Sequence, residues 1–266
     1  MHTSIPIKSI NDIIKWNLIK TDGNKRRFFF RGMSNDKYKL IPKISRNNKE
    51  ENHNPVSIDI AKTRFLRLKQ YLNVYLPAYG FGFEGLESYP KLWRELFVAQ
   101  HYGIPTNLLD FSRNPLVALF FAAKHPDKNH GAVYAIQTQE KNPTNNKDYN
   151  ICSPDDYLHK YPYEGESGRN PFFVAPTYSD KRIIAQVSVF CYLPMKLLST
   201  PLNDINTFCS NRPNQMGSIH KLIVDKKYKG DILEELNKVG INDASLFPDM
   251  NGLGSFIEWK LLNKYS

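Results

Sequence analysis

The sequence predicts a single mixed α+β domain. Apolar residues recur at helical spacing mainly in the first half of the chain, and strand patterns prevail in the second half. The 266 residues are 41% hydrophobic and 23% charged, which is enough apolar material for a core of their own. No internal repeat or low-complexity linker divides the chain, so residues 1–266 are treated as one domain.

Helices are predicted where a capping residue precedes an amphipathic stretch and a glycine or proline ends it. The first covers residues 9–20, and others follow in SIDIAKTRFLRLKQYLNVYL, YPKLWRELFVAQHYG, NPLVALFFAAKH and KGDILEELNKVG. Aromatic density or alternation predicts strands in RRFFFRGM, TNLLDFS, GAVYAIQT, RIIAQVSVFCYLP and IHKLIVD. The segment ASLFPDMNGLGSFIEWKLL is expected to form a short strand, a turn and a last helix.

Two segments are predicted to be irregular. AYGFGFEGL is punctuated by glycines and is expected to form a flexible aromatic loop. Residues 138–180 contain several Pro, Asn and Gly residues and are expected to form a long irregular connection. A connection of that length inside a compact domain is usually functional or mobile.

The composition also indicates which binding partners and which cellular compartment to expect. Thirty-six Lys and Arg against 26 Asp and Glu give a formal net charge of +10, which favours polyanions or an anionic cofactor. Cys152, Cys191 and Cys209 lack metal-ligand spacing and indicate free thiols in a reducing compartment. No signal-peptide pattern and no apolar run of about 18 residues is present. We expect a cytoplasmic protein with no membrane association and no metal.

The densest group of polar residues lies within AQHYGIPTNLLDFSRNPLVALFFAA, among residues otherwise typical of a core. Its members are Gln100, His101, Tyr102, Thr106, Asn107, Asp110 and Ser112. Buried polar groups must be paired, so these side chains are expected to meet each other, the backbone or a ligand. Taken singly they have structural explanations: Asp110 or Ser112 would cap the helix that begins at Asn114, and His101 would be a paired core histidine.

Arg31 raises a separate question, because it directly follows three phenylalanines at the end of a predicted buried strand. An unpaired buried charge is costly, so the guanidinium needs an anionic ligand or a partner such as Asp110. Familiar catalytic motifs do not supply an answer. The sequence has no G-x-S-x-G elbow, P-loop or zinc-site spacing, and the three glycines of YGFGFEG do not lie between a predicted strand and a helix as those of a phosphate-binding loop do.

Four segments resemble, in order, the FRG domain, a bacterial family named for its Phe-Arg-Gly signature. They are FFFRGMSNDKYKLIPKISR, AQHYGIPTNLLDFSRNPLVALFFAA, RIIAQVSVF and SLFPDMNG. The resemblance extends over about residues 10–258, nearly the whole chain. The second segment is long and specific, whereas the family name itself implies little chemistry.

The order of parts is also similar to the ADP-ribosyltransferase fold of the Arg–Ser–Glu type, in which helices pack on a split antiparallel sheet. In that fold a strand ending in Arg-Gly opens the NAD pocket, a second strand supplies a Ser motif, and a later strand supplies a catalytic glutamate. The similarity places Arg31 and Gly32 in the first motif, Asp110 and Ser112 in the second, and Gln186 where the glutamate is expected. Candidate substitutes for the glutamate are Glu164, Glu166 and Glu258.

This similarity implies NAD as a substrate and assigns the site. The catalytic set would be Arg31, Asp110, Ser112 and Gln186. The NAD-binding set would be Arg31, Gly32, Ser34, Tyr38, His101, Tyr102 and Thr106. Arg31 would hold a phosphate or ribose, Gly32 would let the backbone approach what Arg31 holds, and Gln186 would face the acceptor.

The implied function is an NAD-using ADP-ribosyltransferase-like effector or NAD glycohydrolase, such as a toxin or an antiviral defence protein. Its acceptor would be RNA, DNA or a protein, and an antitoxin or immunity partner would restrain it. The alternative is a non-catalytic module that binds a nucleotide or nucleic acid through the same pocket, which Gln186 in place of a glutamate favours. A third hypothesis is a structural protein whose polar cluster is an internal hydrogen-bond network.

Overall fold

The computed structural model describes nine stretches of the chain: residues 6–21, 27–47, 54–75, 91–125, 129–138, 151–152, 171–174, 181–204 and 218–264. Within these stretches, eight strands form one sheet, and helices pack on both of its faces. The prediction of a mixed α+β class is confirmed. None of the helices in these stretches is long and apolar enough to cross a membrane.

The strands are β1 (Pro6–Ile7), β2 (Arg27–Met33), β3 (Leu108–Ser112), β4 (Gly131–Thr138), β5 (Ile151–Cys152), β6 (Phe172–Val174), β7 (Ser188–Tyr192) and β8 (Ile219–Val224). The helices are α1 (Ile10–Thr21), α2 (Ile58–Tyr75), α3 (Lys91–His101), α4 (Pro115–Ala123), α5 (Lys181–Ala185), α6 (Lys229–Lys238), α7 (Asp243–Leu246) and α8 (Met250–Lys264).

The strand order is β1-β8-β4-β2-β3-β7-β6-β5. All neighbours are antiparallel except the two outermost pairs, β1–β8 and β5–β6, so the sheet is mixed where a purely antiparallel one was expected. β2 pairs with β4 along its whole length but with β3 only where Phe30 lies opposite Ser112. Beyond that pair the two strands separate, and the sheet is split between them.

The side chains of β2 alternate between the two faces of the sheet, so its phenylalanines contribute to the hydrophobic core on each face. Phe28 and Phe30 point to the side of α1, α4 and α6, where Trp16 packs against Phe28 with ring centroids 5.2 Å apart. Phe29 points to the side of α2 and α3 and packs against Phe173 at 4.4 Å. The same alternation puts Arg31 on the α2–α3 side.

Gly32 lets helix α4 lie directly against β2. A Cβ at this position would be 1.8 Å from the carbonyl oxygen of Ala118, closer than any real contact. Gly131 on the neighbouring strand is equally constrained, because its Cβ would be 2.1 Å from the carbonyl oxygen of Ala122. The missing Cβ of Gly32 thus makes room for a helix, and its predicted role of letting the backbone approach a ligand stays a prediction.

Lys229 fixes the same corner of the molecule. It is fully buried, and its Nζ donates to the carbonyl oxygens of Ser34 at 2.7 Å and Lys124 at 3.3 Å. Burial lowers its pKa to about 8. The ammonium thus ties the segment after β2 to the end of α4.

Two sequence predictions of secondary structure are wrong. The predicted strand RIIAQVSVFCYLP begins with helix α5, and the strand itself starts only at Ser188. ASL forms helix α7 rather than a strand, because Asn242 and Ser245 make a capping box. The predicted connection 138–180 contains β5 and β6, and the rest of it lies outside the described residues, as does AYGFGFEGL.

Candidate ligand site at the split of the sheet

A cavity of about 280 Å³ lies where β2 and β3 separate. Its volume is close to the lower end of the range for small-molecule pockets, roughly 300–1,000 Å³. The polar side chains on its wall are Arg31, Gln100, His101, Asp110, Ser112, Arg182, Gln186 and Ser188. Phenylalanines from both cores complete the wall, among them Phe97, Phe111, Phe190 and Phe247.

Arg31 spans the split in the sheet. Its Nη1 donates to the backbone carbonyl oxygen of Asp110 at 2.6 Å and lies 3.5 Å from the Asp110 carboxylate. The side chain is only 14% exposed. The guanidinium thus satisfies a carbonyl on β3 that regular pairing with β2 leaves free at this point.

One donor of Arg31 remains unused. Its Nε is buried and has no hydrogen-bond partner in the part of the chain that the structure describes. A buried N–H without a partner costs free energy, and an acceptor in the cavity would recover it. Arg31 is therefore held by the protein through Nη1, whereas its buried Nε–H has no partner among the described residues.

A hydrogen-bond chain positions the Asp110 carboxylate. The Thr106 hydroxyl donates to Gln100 Oε1, and Gln100 Nε2 donates to Asp110 Oδ1 at 2.8 Å. The Thr106 Oγ1 in turn accepts from the backbone N–H of Leu108 at 3.1 Å. The Asp110 side chain remains 52% exposed, so it is oriented by the protein and still accessible from solvent.

Ser112 joins β3 to the turn before β7. Its hydroxyl donates to the Gln186 carbonyl at 2.7 Å and accepts from the backbone N–H of Asn114 at 2.9 Å. Asn114 itself caps α4 by accepting from the Leu116 N–H, so the expectation that Asp110 or Ser112 is the cap is wrong. With its hydroxyl engaged in both directions, Ser112 holds the cavity wall together.

Gln186 lies in the turn between α5 and β7, not on a strand. Its Nε2 donates to the Leu246 carbonyl at 3.0 Å, which directs the amide nitrogen toward α7. The next residue, Val187, has a φ of +48°, a conformation that strains a β-branched residue. Strained backbone of this kind is concentrated at functional sites, and here it separates two residues of the cavity wall, Gln186 and Ser188.

Arg182 and His101 form a second polar part of the wall. Arg182 Nε donates to Asp249 Oδ2 at 3.0 Å, and its guanidinium carbon lies 5.6 Å from the centre of the Phe247 ring. The hydrogen bond from Arg182 is the main cause of the lowered pKa of Asp249, which also accepts from the Gly252 N–H at 2.9 Å. Burial, and then the charge of Arg182, lower the pKa of His101.

A second positive charge, that of Arg46, lies near Arg31. Burial lowers the pKa of Arg46 to about 10, with the nearby charge of Arg31 as the second cause. Burial raises the pKa of Cys191 well above its ordinary value, and the charge of Arg31 acts against this by favouring the thiolate. The region around Arg31 therefore favours an anion over a cation.

The structure gathers six of the predicted site residues on the cavity wall: Arg31, Gly32, His101, Asp110, Ser112 and Gln186. Four others do not line it. Tyr38 packs against the core on the side of α2 and α3, and Tyr102 is 64% exposed. The Thr106 hydroxyl donates to the Gln100 side chain, and the Ser34 carbonyl accepts from Lys229 Nζ.

Of the three candidate glutamates, the structure describes only Glu258, and that residue does not line the cavity. Glu258 lies on α8 beside a different cavity, together with Lys124 and Trp259. Glu164 and Glu166 lie outside the described residues. In the described stretches, no group of three or more His, Cys, Asp or Glu residues could hold a metal ion.

Sequence reasoning missed Arg182 and Ser188 and left Gln100 without a role. Arg182 and Ser188 both lie in RIIAQVSVFCYLP, where a continuous strand was expected, so no turn was foreseen to bring them to the cavity. Gln100 was part of the polar cluster, and its spacing from Asp110 across a turn was the available signal.

The fold and the cavity together define an α+β domain with a polar, aromatic-lined pocket at the split of its sheet. The family model of the FRG domain matches residues 26–131 of this chain, in agreement with the resemblance seen in the sequence. Arg31, His101, Asp110 and Ser112 lie inside the matched segment, whereas Gln186 lies outside it. A search of curated proteins and a search of solved structures each returned no match.

Proposed function

We propose that the cavity binds NAD and that the protein transfers ADP-ribose from it. The observation that carries the proposal is Arg31, which lines the cavity, is fixed across the split of the sheet and has a buried Nε–H without a partner among the described residues. A guanidinium with free donors suits the oxygens of a ribose or pyrophosphate. Arg182 provides a second guanidinium on the same wall.

The size and lining of the cavity fit one half of NAD. A volume of about 280 Å³ is suited to the nicotinamide riboside end, with the pyrophosphate near the arginines of the wall. Phe97, Phe190 and Phe247 offer apolar surface for the nicotinamide ring.

The reaction breaks the bond between nicotinamide and C1′ of the ribose. Nicotinamide leaves with the electron pair of that bond, and an oxygen or nitrogen of the acceptor attacks C1′ and loses its proton. Positive charge develops on the ribose in between, and a nearby carboxylate stabilises it. Asp110 is the described residue of the wall that can do so, because Gln100 orients it while half of its side chain stays exposed. Water as the acceptor would make the protein an NAD glycohydrolase.

A second candidate function is a non-catalytic module that binds a nucleotide or nucleic acid. It is favoured by Gln186, which takes the place of the expected glutamate, cannot carry negative charge, and uses its amide nitrogen to hold α7. Under this hypothesis NAD or a related nucleotide binds beside Arg31 without loss of nicotinamide.

Cleavage of NAD would suit a cytoplasmic effector, either a toxin or an antiviral defence protein. Its acceptor would be RNA, DNA or protein, and an antitoxin or immunity partner would protect the host cell. The formal charge of +10 supports a nucleic-acid acceptor.

The test is incubation with NAD labelled in the ADP-ribose part, alone and with RNA, DNA or total cell protein. Calorimetry measures binding and chromatography measures free nicotinamide. We expect binding that Arg31→Ala abolishes, with nicotinamide release and label on one acceptor class. Lys226→Ala, an exposed lysine far along the chain, controls for the loss of one positive charge. Binding without release would leave the module hypothesis, and no binding would overturn both.

A further inference from the structure

Three side chains of the segment AQHYGIPTNLLDFS form a hydrogen-bond relay that runs from the core to the cavity. Gln100 lies in the last turn of α3, Thr106 precedes β3 by two residues, and Asp110 lies in the middle of β3. The Thr106 hydroxyl donates to Gln100 Oε1, and Gln100 Nε2 donates to Asp110 Oδ1 at 2.8 Å. Thr106 is fully buried and does not line the cavity, whereas Asp110 does. The relay therefore connects a buried hydroxyl to a carboxylate of the cavity wall.

The direction of each hydrogen bond in the relay is fixed from both ends. An ionised carboxylate only accepts, so the Gln100 amide must turn its nitrogen to Asp110 and its oxygen to Thr106. At the other end, the backbone N–H of Leu108 donates to Thr106 Oγ1 at 3.1 Å, and the hydroxyl hydrogen is left for Gln100 Oε1. Rotated by half a turn, the amide would place its oxygen against the carboxylate.

Backbone contacts hold Thr106 in place. Its carbonyl oxygen accepts from the N–H of Ile44 at 3.2 Å, and Lys43 Nζ donates to the carbonyl oxygen of Gly103 at 2.6 Å. Gly103 has a φ of +68°, which glycine adopts without strain. The segment after β2 thus fixes the turn between α3 and β3 at two points, and the hydroxyl at the start of the relay has a defined position.

We propose that Thr106 is a positioning residue of the reaction: through Gln100 it keeps the Asp110 carboxylate oriented in the cavity, and it raises the rate of nicotinamide release without contacting NAD. Gln100 lies closer to this carboxylate, at 2.8 Å, than Arg31 Nη1 does, at 3.5 Å. Half of the Asp110 side chain is exposed, so without the relay the carboxylate would change rotamer more freely.

The orientation matters because a carboxylate stabilises a developing positive charge best when it is held near that charge before the reaction. The expected effect on the rate rests on the proposed function. The relay itself is a property of the free protein and is measured without NAD.

The first part of the test observes the relay by NMR of the Gln100 side-chain amide, whose signals are assigned by their loss in Gln100→Leu. Asp110→Asn should shift these signals. Thr106→Val has nearly the same shape but no hydroxyl and should shift them toward those of a solvated glutamine, whereas Thr106→Ser keeps the hydroxyl and should leave them near the wild-type positions. Unchanged signals in Thr106→Val would overturn the relay.

The second part measures kcat and KM for nicotinamide release. Thr106→Val should lower kcat about threefold to tenfold, the rate equivalent of one hydrogen bond, and change KM less than about twofold. Thr106→Ser should restore kcat to within about twofold of wild type. In the Gln100→Leu background Thr106→Val should lower kcat no further, because Thr106 acts only through Gln100.

The matched control is Ser45→Ala, which removes another fully buried hydroxyl, one without a hydrogen-bond partner among the described residues, and should keep the wild-type kcat. If Thr106→Val does not fold, Thr106→Cys replaces it; its thiol is a weak donor and should give an intermediate kcat.

Three kinetic results would overturn the positioning role: wild-type kcat in Thr106→Val, a kcat in Thr106→Ser as low as in Thr106→Val, or losses that add in the double variant. If the wild type releases no nicotinamide, the proposed function fails and the effect on the rate fails with it. The NMR measurement then still decides whether the relay exists, so the two failures are distinguishable.

Discussion

The two edges of β2 are used in opposite ways. Along one edge β2 pairs with β4 at every residue from Arg27 to Met33. Along the other it pairs with β3 only at Phe30. The first edge is closed by backbone hydrogen bonds, and the second is bridged by the Arg31 side chain and opens into a cavity.

The three residues of the Phe-Arg-Gly signature therefore have different structural roles. Phe30 belongs to the core, Gly32 makes the contact with α4, and Arg31 between them points to the opposite side of the strand. Strand alternation separates the structural residue from the ligand-facing one. Substitutions at positions 31 and 32 should therefore have different consequences.

The largest loss of stability is expected at Gly32, where β2 lies directly against α4. Gly32→Ala should lower the free energy of unfolding by about 3 kcal/mol or more, because its Cβ would overlap the Ala118 carbonyl and backbone cannot yield as a side chain can. Urea denaturation measures it. Gly254→Ala is the control: its Cβ meets nothing within 4 Å, and alanine should stabilise α8 by about 1 kcal/mol or less. Wild-type stability for Gly32→Ala would refute the close contact.

At the open edge of β2, a substitution of Arg31 is expected to cost less stability than one at Gly32 but to weaken NAD binding strongly. Arg31→Ala leaves the Asp110 carbonyl without its side-chain donor and should cost about 1–3 kcal/mol. NAD binding should weaken at least tenfold, because a charged hydrogen-bond donor is removed from the cavity wall. Denaturation and calorimetry on one preparation separate the two quantities. Severe unfolding of Arg31→Ala, beyond that of Gly32→Ala, would instead favour a purely structural network.

The strands and helices with long, regular patterns were predictable from sequence. β2 lies where aromatic density placed it, and α2, α3 and α4 lie where periodicity and capping placed them, because each of these elements contains many apolar residues. The short strands β1, β5 and β6 have two or three residues and carry no measurable alternation. The helix α5 was missed because a short apolar run has the same composition in a helix and in a strand.

The site was predictable only in part, for a similar reason. Arg31, Asp110 and Ser112 stood out because a charged or polar residue at the end of an apolar strand needs a partner. Arg182 had no such local signal, since its position depends on the turn at Val187 and on Asp249, more than sixty residues later. The direction of the Gln186 amide was likewise set by a distant carbonyl, that of Leu246.

Asp110 distinguishes catalysis from binding at the open edge. Asp110→Asn keeps the shape and the hydrogen bond from Gln100 but removes the negative charge. Because the side chain is half-exposed, stability should change by less than about 1 kcal/mol. Nicotinamide release should fall tenfold or more while NAD binding changes little, since the charge acts on the developing cation. Gln100→Leu, which removes only the positioning hydrogen bond, should give an intermediate rate. Release unchanged in Asp110→Asn would exclude the carboxylate from the reaction.

The smallest expected effect is the contribution of His101 to the pH dependence of stability. Burial, followed by the charge of Arg182, lowers the pKa of His101 below its ordinary 6.5, with Asp249 acting weakly in the opposite direction. As the pH falls below 6.5, the unfolded chain therefore binds a proton at this histidine before the folded protein does, and stability decreases. The loss should be less than about 1 kcal/mol, because solvent screens a half-buried group. His101→Gln should lose less stability than wild type between about pH 7 and 5, with pH 8 as the common reference. A steeper loss in the variant would mean that the cavity stabilises the charged imidazolium, and the cationic surroundings inferred from Arg182 would then be wrong.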